Sequence, residues 1–569
     1  MAADLLAWFP EGFTPRPEQA RLLRELGPAI ESGKGVLLVE APPGVGKSHV
    51  AMTLARWSGD AYLLTSQKLL QDQYEREFGG AIQLVKGRDN YPCELYPPEM
   101  GVTTSFGKCH RPRGPKCQCP YVRAKTAALS GPIFCTNTAY FATLRQWHGE
   151  HLPRRRLLVI DEAHNLEAQL TSVFTVSFSA AQMTEWFGRP LPRLASAEEY
   201  RALLAERLER LEGRLQDERR RLDDPALADL PVSREEQELL RAIEHIRFFL
   251  DPAETEWAVR YPPEPGSRLE LVPLSVARMA PGLLFDAADV TVLSSAHLGH
   301  RGVLAECFGL SADDVQVFSV GSPFALERRP IVYRPVGALS KESLAQLEPA
   351  VGAEVAAILA AHAEDKGLIH APSYVFARRL LADLIDRAPA QARRILFVGA
   401  GPDRPRALEQ HRESRHPTVL LSPSMREGVD LPDDFLRFQI ITKMPYPDLG
   451  DPWTAARQAR DPRWYALETA KALVQAYGRS CRHAGDHGVT YVLDAQFQRF
   501  LARYRPLLPP WFLDAARAAL LAHKRAPASA PPAPPPCDHA ALFAGHAADV
   551  PGLPCPRCHR WIDRAAVPG

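Results

Sequence analysis

The sequence predicts an α/β protein made of two parallel-sheet domains in succession, and three observations predict it. The run GKGVLLVEAPPGVGKSHV, residues 33–50, reads as an apolar strand, a glycine-rich turn and the start of a helix. The run RRRLLVIDEAHNL, residues 154–166, reads as a second strand ending in two adjacent acids. Beyond RRPIVYRP, the segments GLIHA, RILFVG, TVLLS, FQIITKM and VTYVLD alternate with helical spacing, as in a second parallel domain.

Each element has a chemical reason. In the first turn, Gly44 and Gly46 let backbone N–H groups point inward around a phosphate. Lys47 reaches the β- and γ-phosphates, and the Ser48 hydroxyl ligates Mg²⁺. Ala41 stands where this pattern usually begins with glycine, a position that mainly needs a small residue. At the end of the second strand, Asp161 holds the Mg²⁺ shell and Glu162 polarises the attacking water. ATP with Mg²⁺ is therefore the expected ligand.

Bulk composition narrows the classes. A chain of 569 residues exceeds one core, and 46% apolar with 24% charged residues is ordinary for a globular protein. The net charge of +1 gives no global positive field, so any nucleic-acid site is a local groove. With no evident leader and no apolar run read as long enough to cross a bilayer, a cytoplasmic protein is expected. There a disulfide framework is excluded, and the clustering of ten cysteines points to metal. Cys135, Cys307 and Cys481 are isolated and read as small buried residues, although Cys135 remains a reserve ligand for the first cluster.

That first cluster is Cys93, Cys109, Cys117 and Cys119. Thiolates favour zinc or iron–sulfur, and the bare spacing leaves both open. It lacks the paired Cys-x-x-Cys knuckles of structural zinc, and its uneven, proline-rich loops suit a cubane. Lys108, Arg111, Arg113, Lys116, Arg123 and Lys125 surround it, as a collar around a phosphate backbone would require.

Between the acid pair and the second domain the pattern changes. Leu204, Leu208, Leu211, Leu215 and Leu222 recur with near-heptad spacing, and Ser233 with Glu236 opens a second helix as a capping box. Near the end, RAPASAPPAPPPC reads as a stiff linker. In the tail after it, Cys555 and Cys558 form a knuckle that Cys537 and His539 complete as a zinc site, with His546 and His559 as substitutes.

DEAH at 161–164, the Gly-Lys-Ser loop and the four-cysteine insertion together resemble the iron–sulfur helicases of superfamily 2, the XPD/DinG group, and most closely the bacterial DinG-like proteins. The resemblance runs from about Phe13 to about Asp494. It implies two RecA-like motor domains, with an iron–sulfur insertion and a helical arch in the first. The boundaries then fall at 1–92, 131–173 and 266–325 for the first motor domain, 93–130 for the cluster and 174–265 for the arch. The second motor domain covers 326–520, the linker 521–536 and the tail 537–569. The family places a [4Fe–4S] cluster on the four cysteines, with CPY at the last ligand.

The resemblance also assigns roles. Arg16 and Gln19 in FTPRPEQ read the adenine base, and Thr65 and Gln73 in LLTSQKLLQDQY contact the DNA backbone. VLSSAHLG couples hydrolysis to movement, with His297 in place of the usual threonine. Ser373 and Tyr374 lie near the DNA track, REGVDLP supplies Glu427, Gly428 and Asp430, and QAYGRSCRHAGDHG supplies Gln475, Gly478, Arg479 and Arg482. Arg479 and Arg482 are expected one helical turn apart, facing the triphosphate from the second domain. Tyr91, Tyr121 and Tyr374 are candidates to stack on bases.

The activity implied is an ATP-dependent DNA helicase moving 5′ to 3′ on single strands, in repair or replication. Its partners are single-stranded and tailed duplex DNA, with a protein partner at the arch or tail, no membrane and a monomeric state. Two alternatives stand beside it: a translocase that unwinds weakly, and a nucleotide-binding adaptor without catalysis.

Overall fold

The computed structural model describes residues 4–33, 35–110, 117–147, 152–189, 191–222, 230–251, 256–261, 268–399, 403–425, 431–479, 481–483, 485–525, 552–554 and 561–563. The chain divides into one unit of residues 1–518 and another of 519–569.

In the first unit the strands in chain order are β1 (Gly35–Glu40), β2 (Ala61–Thr65), β3 (Gln83–Leu84), β4 (Ile133–Asn137) and β5 (Arg155–Asp161), then β6 (Val176–Ser179), β7 (Trp257–Arg260) and β8 (Arg268–Pro273), then β9 (Ala288–Ser295) and β10 (Val315–Ser319). Seven of them form one parallel sheet in the order β10-β1-β9-β5-β2-β4-β3. Strand β1 reads GVLLVE with its four central residues buried, the continuous apolar run of a sheet covered on both faces. One face packs Leu38, Tyr62, Leu158 and Phe134, and the other packs Leu37, Val39, Leu63 and Val159. Register fixes the functional edge: Glu40 pairs with Ser295 and Asp161 pairs with Ser294. The loops after β1, β5 and β9 therefore leave the sheet side by side, at the carboxyl ends where open α/β sheets bind ligands.

The second sheet contains β11 (Ile331–Gly337), β12 (Gly367–His370), β13 (Ile395–Phe397), β14 (Val419–Ser422), β15 (Phe438–Ile441) and β16 (Val489–Asp494), parallel in the order β11-β16-β15-β12-β14-β13. Its helix Leu344–Ala361 corrects one sequence expectation. By length and composition it is apolar enough to span a bilayer, with a mean hydropathy of 1.4. Alanines supply much of that value, and its Val351, Val355, Ile358 and Leu359 pack into the core of the second sheet.

Between β6 and β8 stand two long helices, Ala197–Leu222 and Arg234–Leu250. Leu204, Leu211 and Leu215 of the first share a core with Leu239, Ile243, Ile246 and Phe249 of the second. The Ser233 hydroxyl accepts the Glu236 amide at 3.0 Å, but the Glu236 carboxylate takes Arg219 at 2.9 Å, so the expected reciprocal box does not close. A three-stranded antiparallel sheet, β6-β8-β7, lies beneath these helices. The sequence pattern does not predict it, and β8 lies wholly beyond the expected boundary at 265. The helical insertion also braces the cysteine-rich one: the Val232 amide donates to the Phe106 carbonyl at 2.8 Å, and the Gln237 amide donates to the Ser105 carbonyl.

In the second sheet's domain His411 is fully buried, between the Phe435 carbonyl and the Thr418 hydroxyl, each at 2.8 Å. Burial pushes its pKa from 6.5 down to about 4. The unfolded chain binds this proton first, so the stability is complete above pH 6.5 and is lost as pH falls toward about 4. The loss amounts to ~3 kcal/mol at full protonation. Denaturant titrations at neutral pH and near pH 4 check this, with His411→Gln expected to lack that component.

The second unit contains the antiparallel pair β17 (Gly552–Pro554) and β18 (Trp561–Asp563). The expected zinc ligands Cys537, His539, Cys555 and Cys558 lie outside the described residues, as do the substitutes His546 and His559.

Candidate nucleotide site and cysteine cluster

The glycine-rich turn leaves β1 and enters the helix Lys47–Ser58 with Gly46 as its N-cap. Gly44 and Gly46 adopt φ of 81° and 88°, values that only glycine reaches cheaply. Arg16 donates to the Gly44 carbonyl, Gln19 donates to the Gly46 carbonyl at 3.0 Å, and the Gln19 side-chain oxygen accepts the Arg16 amide at 2.8 Å. Arg16 and Gln19 thus hold the turn from outside, beside the helix N-terminus where an anion is favoured.

Opposite it, Asp161 ends β5 and Glu162 follows in the left-handed region, φ 53°, a conformation that costs a non-glycine residue free energy and is concentrated at functional sites. Asp161 accepts the Tyr74 hydroxyl at 2.9 Å and the Glu162 amide at 3.0 Å. Burial pushes the Asp161 carboxyl up to about 6, and Glu162 beside it adds to the rise against the pull of Lys47. Burial acts on Glu162 in the same sense, but Lys47 at 3.6 Å and His164 at 3.2 Å outweigh it and hold that carboxyl well below the usual range. The two acids differ in environment, as two carboxylates with separate tasks require.

From the second domain, Gln475, Gly478, Arg479 and Arg482 face the same cleft as Lys47, Ser48, Asp161 and Glu162, a space of about 430 Å³ that Arg16 and Gln73 also line. The approach is close. A side chain at Gly44 would strike the Arg482 carbonyl and the Phe324 ring, and one at Gly478 would meet Pro43 Cγ at 2.6 Å. The Gln475 side-chain nitrogen is buried with no hydrogen-bond partner among the described residues, a donor at the cleft wall.

Several placements differ from the sequence reading. The helix Pro462–Tyr477 ends before the arginines, so Arg479 and Arg482 come from the loop after it and not from successive positions on one helical turn. Thr65 is fully buried and its hydroxyl donates to the Gln67 carbonyl at 3.3 Å, which removes it from reach of a DNA strand. Gln73 points into the nucleotide cleft and donates to Glu77 at 2.9 Å. Tyr121 is buried, hydrogen-bonded to Tyr140 at 2.6 Å with Arg88 over its ring, so it offers no open face to a base. Ser373 remains exposed as the N-cap of the helix Tyr374–Arg387, and Tyr374 donates to Ser424 at 3.3 Å. Asp430, with Glu427 and Gly428, lies outside the described residues.

His297, the departure from threonine, is buried against Glu40 at 3.1 Å, and the same carboxylate oxygen accepts the Leu298 and Gly299 amides. Burial raises the Glu40 carboxyl, and these donors bring it back below its ordinary value. Glu40 and Tyr74 carry no recognisable sequence signal, since a strand-end acid and a helix tyrosine occur in any fold.

The four insertion cysteines face one another. Cys93 and Cys109 sulfurs both lie 3.1 Å from where a Cβ on Gly107 would stand, and the Cys119 amide donates to the Cys117 sulfur at 3.3 Å. Burial raises the Cys109 thiol, and Cys117, Cys93 and Cys119 all act on it in turn. Burial and Cys119 push Cys117 up to about 12. Cys135 sits inside β4, fully buried in the sheet core, apart from this group. Among the described residues no group of three or more His, Cys, Asp or Glu side chains is placed to hold a metal ion.

Two α/β lobes line one cleft at the glycine-rich turn, an architecture shared with solved XPD structures, and in sequence the chain is similar to the helicases DinG and YoaA. The helicase C-terminal domain matches residues 357–514. The ATP-dependent helicase DinG of Mycobacterium tuberculosis is 31% identical over 289 residues, which are 46% of this chain and 41% of that protein; the chain's match thus spans less than half of that relative's length. The ATP-dependent DNA helicase YoaA of Escherichia coli is 24% identical over 88% of this chain and 94% of its own. Among solved structures, an XPD helicase superposes with a TM-score of 0.62 at 15% identity over 87% of this chain and 98% of its own. Xpd4 of S. tokodaii superposes with a TM-score of 0.56 at 15% identity, over 86% and 97%.

Proposed function

We propose that this chain is an ATP-dependent DNA helicase that translocates 5′ to 3′ on single-stranded DNA and serves repair or replication in the cytoplasm. One observation carries the reading: Lys47 and Ser48 from one lobe and Arg479 and Arg482 from the other line a single cleft. A triphosphate held there would be neutralised from both sides only when the lobes are shut, so its hydrolysis would reopen them. Ser48 and Asp161 would hold Mg²⁺, which supplies charge neutralisation at the transferring phosphoryl group; burial and the neighbouring Glu162 raise Asp161, and such an ion would relieve both. Glu162, kept ionised by Lys47 and His164, would accept the proton of the attacking water.

The test is single-strand-stimulated ATP hydrolysis together with separation of a 5′-tailed duplex. Hydrolysis that ignores DNA, with no strand separation, contradicts the proposal. Hydrolysis and movement without separation favours the weakly unwinding translocase. The specific ground for testing it is His297, which stands in place of the usual threonine and packs against Glu40 at 3.1 Å.

For the insertion we infer a [4Fe–4S] cluster held by Cys93, Cys109, Cys117 and Cys119. The donor set fits in its chemistry: four thiols act on one another across one insertion, and positive irons would offset the burial that opposes thiolate formation. The cluster would cross-link a loop that also carries the arch contact at Phe106. Anaerobically purified protein is expected to be brown with visible charge-transfer absorption. Cys119→Ser should remove the colour and raise protease cleavage within residues 93–130. A colourless protein with stoichiometric zinc at these cysteines contradicts the assignment.

A further inference from the structure

The two lobes also meet through buried charge, away from the triphosphate. Glu167 lies in the first turn of the helix Leu166–Phe174, directly after the DEAH segment, and is 7% exposed. One of its carboxylate oxygens accepts the guanidinium of Arg457, and the other accepts the Trp464 indole N–H at 2.9 Å. Arg457 is 5% exposed, lies 4.7 Å from the Trp464 ring centre and reaches the Cys307 sulfur at 3.7 Å. Arg457 lies on the helix Pro452–Arg460 and Trp464 on the next, Pro462–Tyr477; further along the latter, Lys471 pairs with Glu468 and donates to the His164 carbonyl at 3.1 Å. His164 is the residue whose ring holds Glu162. Between Lys471 and Trp464, Leu467 presses on Gly299 so closely that no side chain fits there.

The helix Pro462–Tyr477 therefore touches the first lobe at Glu167, at Gly299 and at His164, and about three turns beyond Trp464 it delivers Gln475 to the nucleotide cleft. Energetics give this arrangement a purpose. A buried ion pair gains from attraction roughly what it loses in desolvation, whereas apolar residues of similar volume in the same place would hold more firmly. The Glu167–Arg457 pair itself can part at small cost, because both groups are well solvated when exposed, while Trp464 and Leu467, buried in the first lobe's apolar core, favour the closed contact.

We propose that Glu167, Arg457, Trp464 and Lys471 form a reversible charged latch between the lobes, poised near balance so that the nucleotide decides closure. They are positioning residues: they set where the end of helix 462–477 holds Gln475, Arg479 and Arg482 over the triphosphate. The proposal rests on the ATPase reading above.

Two variants act in opposite directions. Glu167→Gln leaves Arg457 buried without its counter-charge and disfavours closure, so KM for ATP should rise about tenfold and kcat should fall. The double variant Glu167→Leu with Arg457→Met makes the contact apolar and favours closure, so KM should fall while kcat drops about tenfold through slowed product release. Dyes on exposed positions of the two lobes should report a longer mean separation in the first variant and a shorter one in the second, with and without a non-hydrolysable ATP analogue. If the single variant fails to fold, the double variant alone decides, since its contact is packed. Wild-type KM, kcat and separation in a folded double variant, with only thermal stability changed, overturn the latch. Absence of ATP turnover in the wild type overturns the functional reading instead, while the dye separations still judge the latch.

Discussion

Lys47→Ala is expected to lower kcat/KM for ATP by about 10²- to 10³-fold, the usual cost of removing one preorganised charge from a transition-state site. Lys47 is the first residue of its helix and its side chain is 10% exposed, beside Glu162 at 3.6 Å. Alanine is the best helix former, so the helix Lys47–Ser58 should persist and thermal stability should change little. Glu162 loses the Lys47 ammonium that helps hold it ionised but keeps the His164 ring beside it. The loss should therefore appear in both affinity and rate: titration calorimetry with a non-hydrolysable analogue should show weakened binding, and single-turnover assays slowed hydrolysis. Strand separation should vanish with it. An unaltered ATPase in Lys47→Ala contradicts the cradle.

Arg479→Ala should show the opposite split. Arg479 reaches the cleft from the second lobe, so its charge counts only when the lobes are shut and the phosphoryl group is in transfer. A fall in kcat of about 10³-fold or more, with analogue affinity nearly retained, is the expectation for a cation of that kind. Lysine at this position should not restore the rate, because an ammonium lacks the planar fork of guanidinium. The second arginine makes the comparison sharper. If Arg482→Ala costs as much and the double variant costs little more, the two act as one unit. Stoichiometric ATP binding without turnover in wild type would instead favour the adaptor alternative.

What the sequence revealed and what it hid follow from range. The phosphate turn was legible because its chemistry is local: Gly44, Gly46, Lys47 and Ser48 must be neighbours in sequence to be neighbours around a phosphate. The strands GLIHA, TVLLS and VTYVLD were legible as short apolar runs between helical segments, and they appear as β12, β14 and β16. The sheet β6-β8-β7 was not, because VSFS, WAVR and RLELVP are short and pair across insertions. Thr65 lay within a recognised segment, yet its position at the end of a wholly buried strand decided its fate. The expected helical turn between Arg479 and Arg482 failed for a local reason: Gly478 caps the helix. Glu167 and Arg457 stand 290 residues apart, and no pattern in either segment announces the other.

The most direct measurement is a crystal structure with a non-hydrolysable ATP analogue and Mg²⁺. The γ-phosphate should lie within hydrogen-bonding reach of Lys47 Nζ and of an Arg479 or Arg482 guanidinium, with the metal between Ser48 and Asp161. An analogue seated on the glycine-rich turn while both arginines face a different cavity would contradict the two-lobed grip.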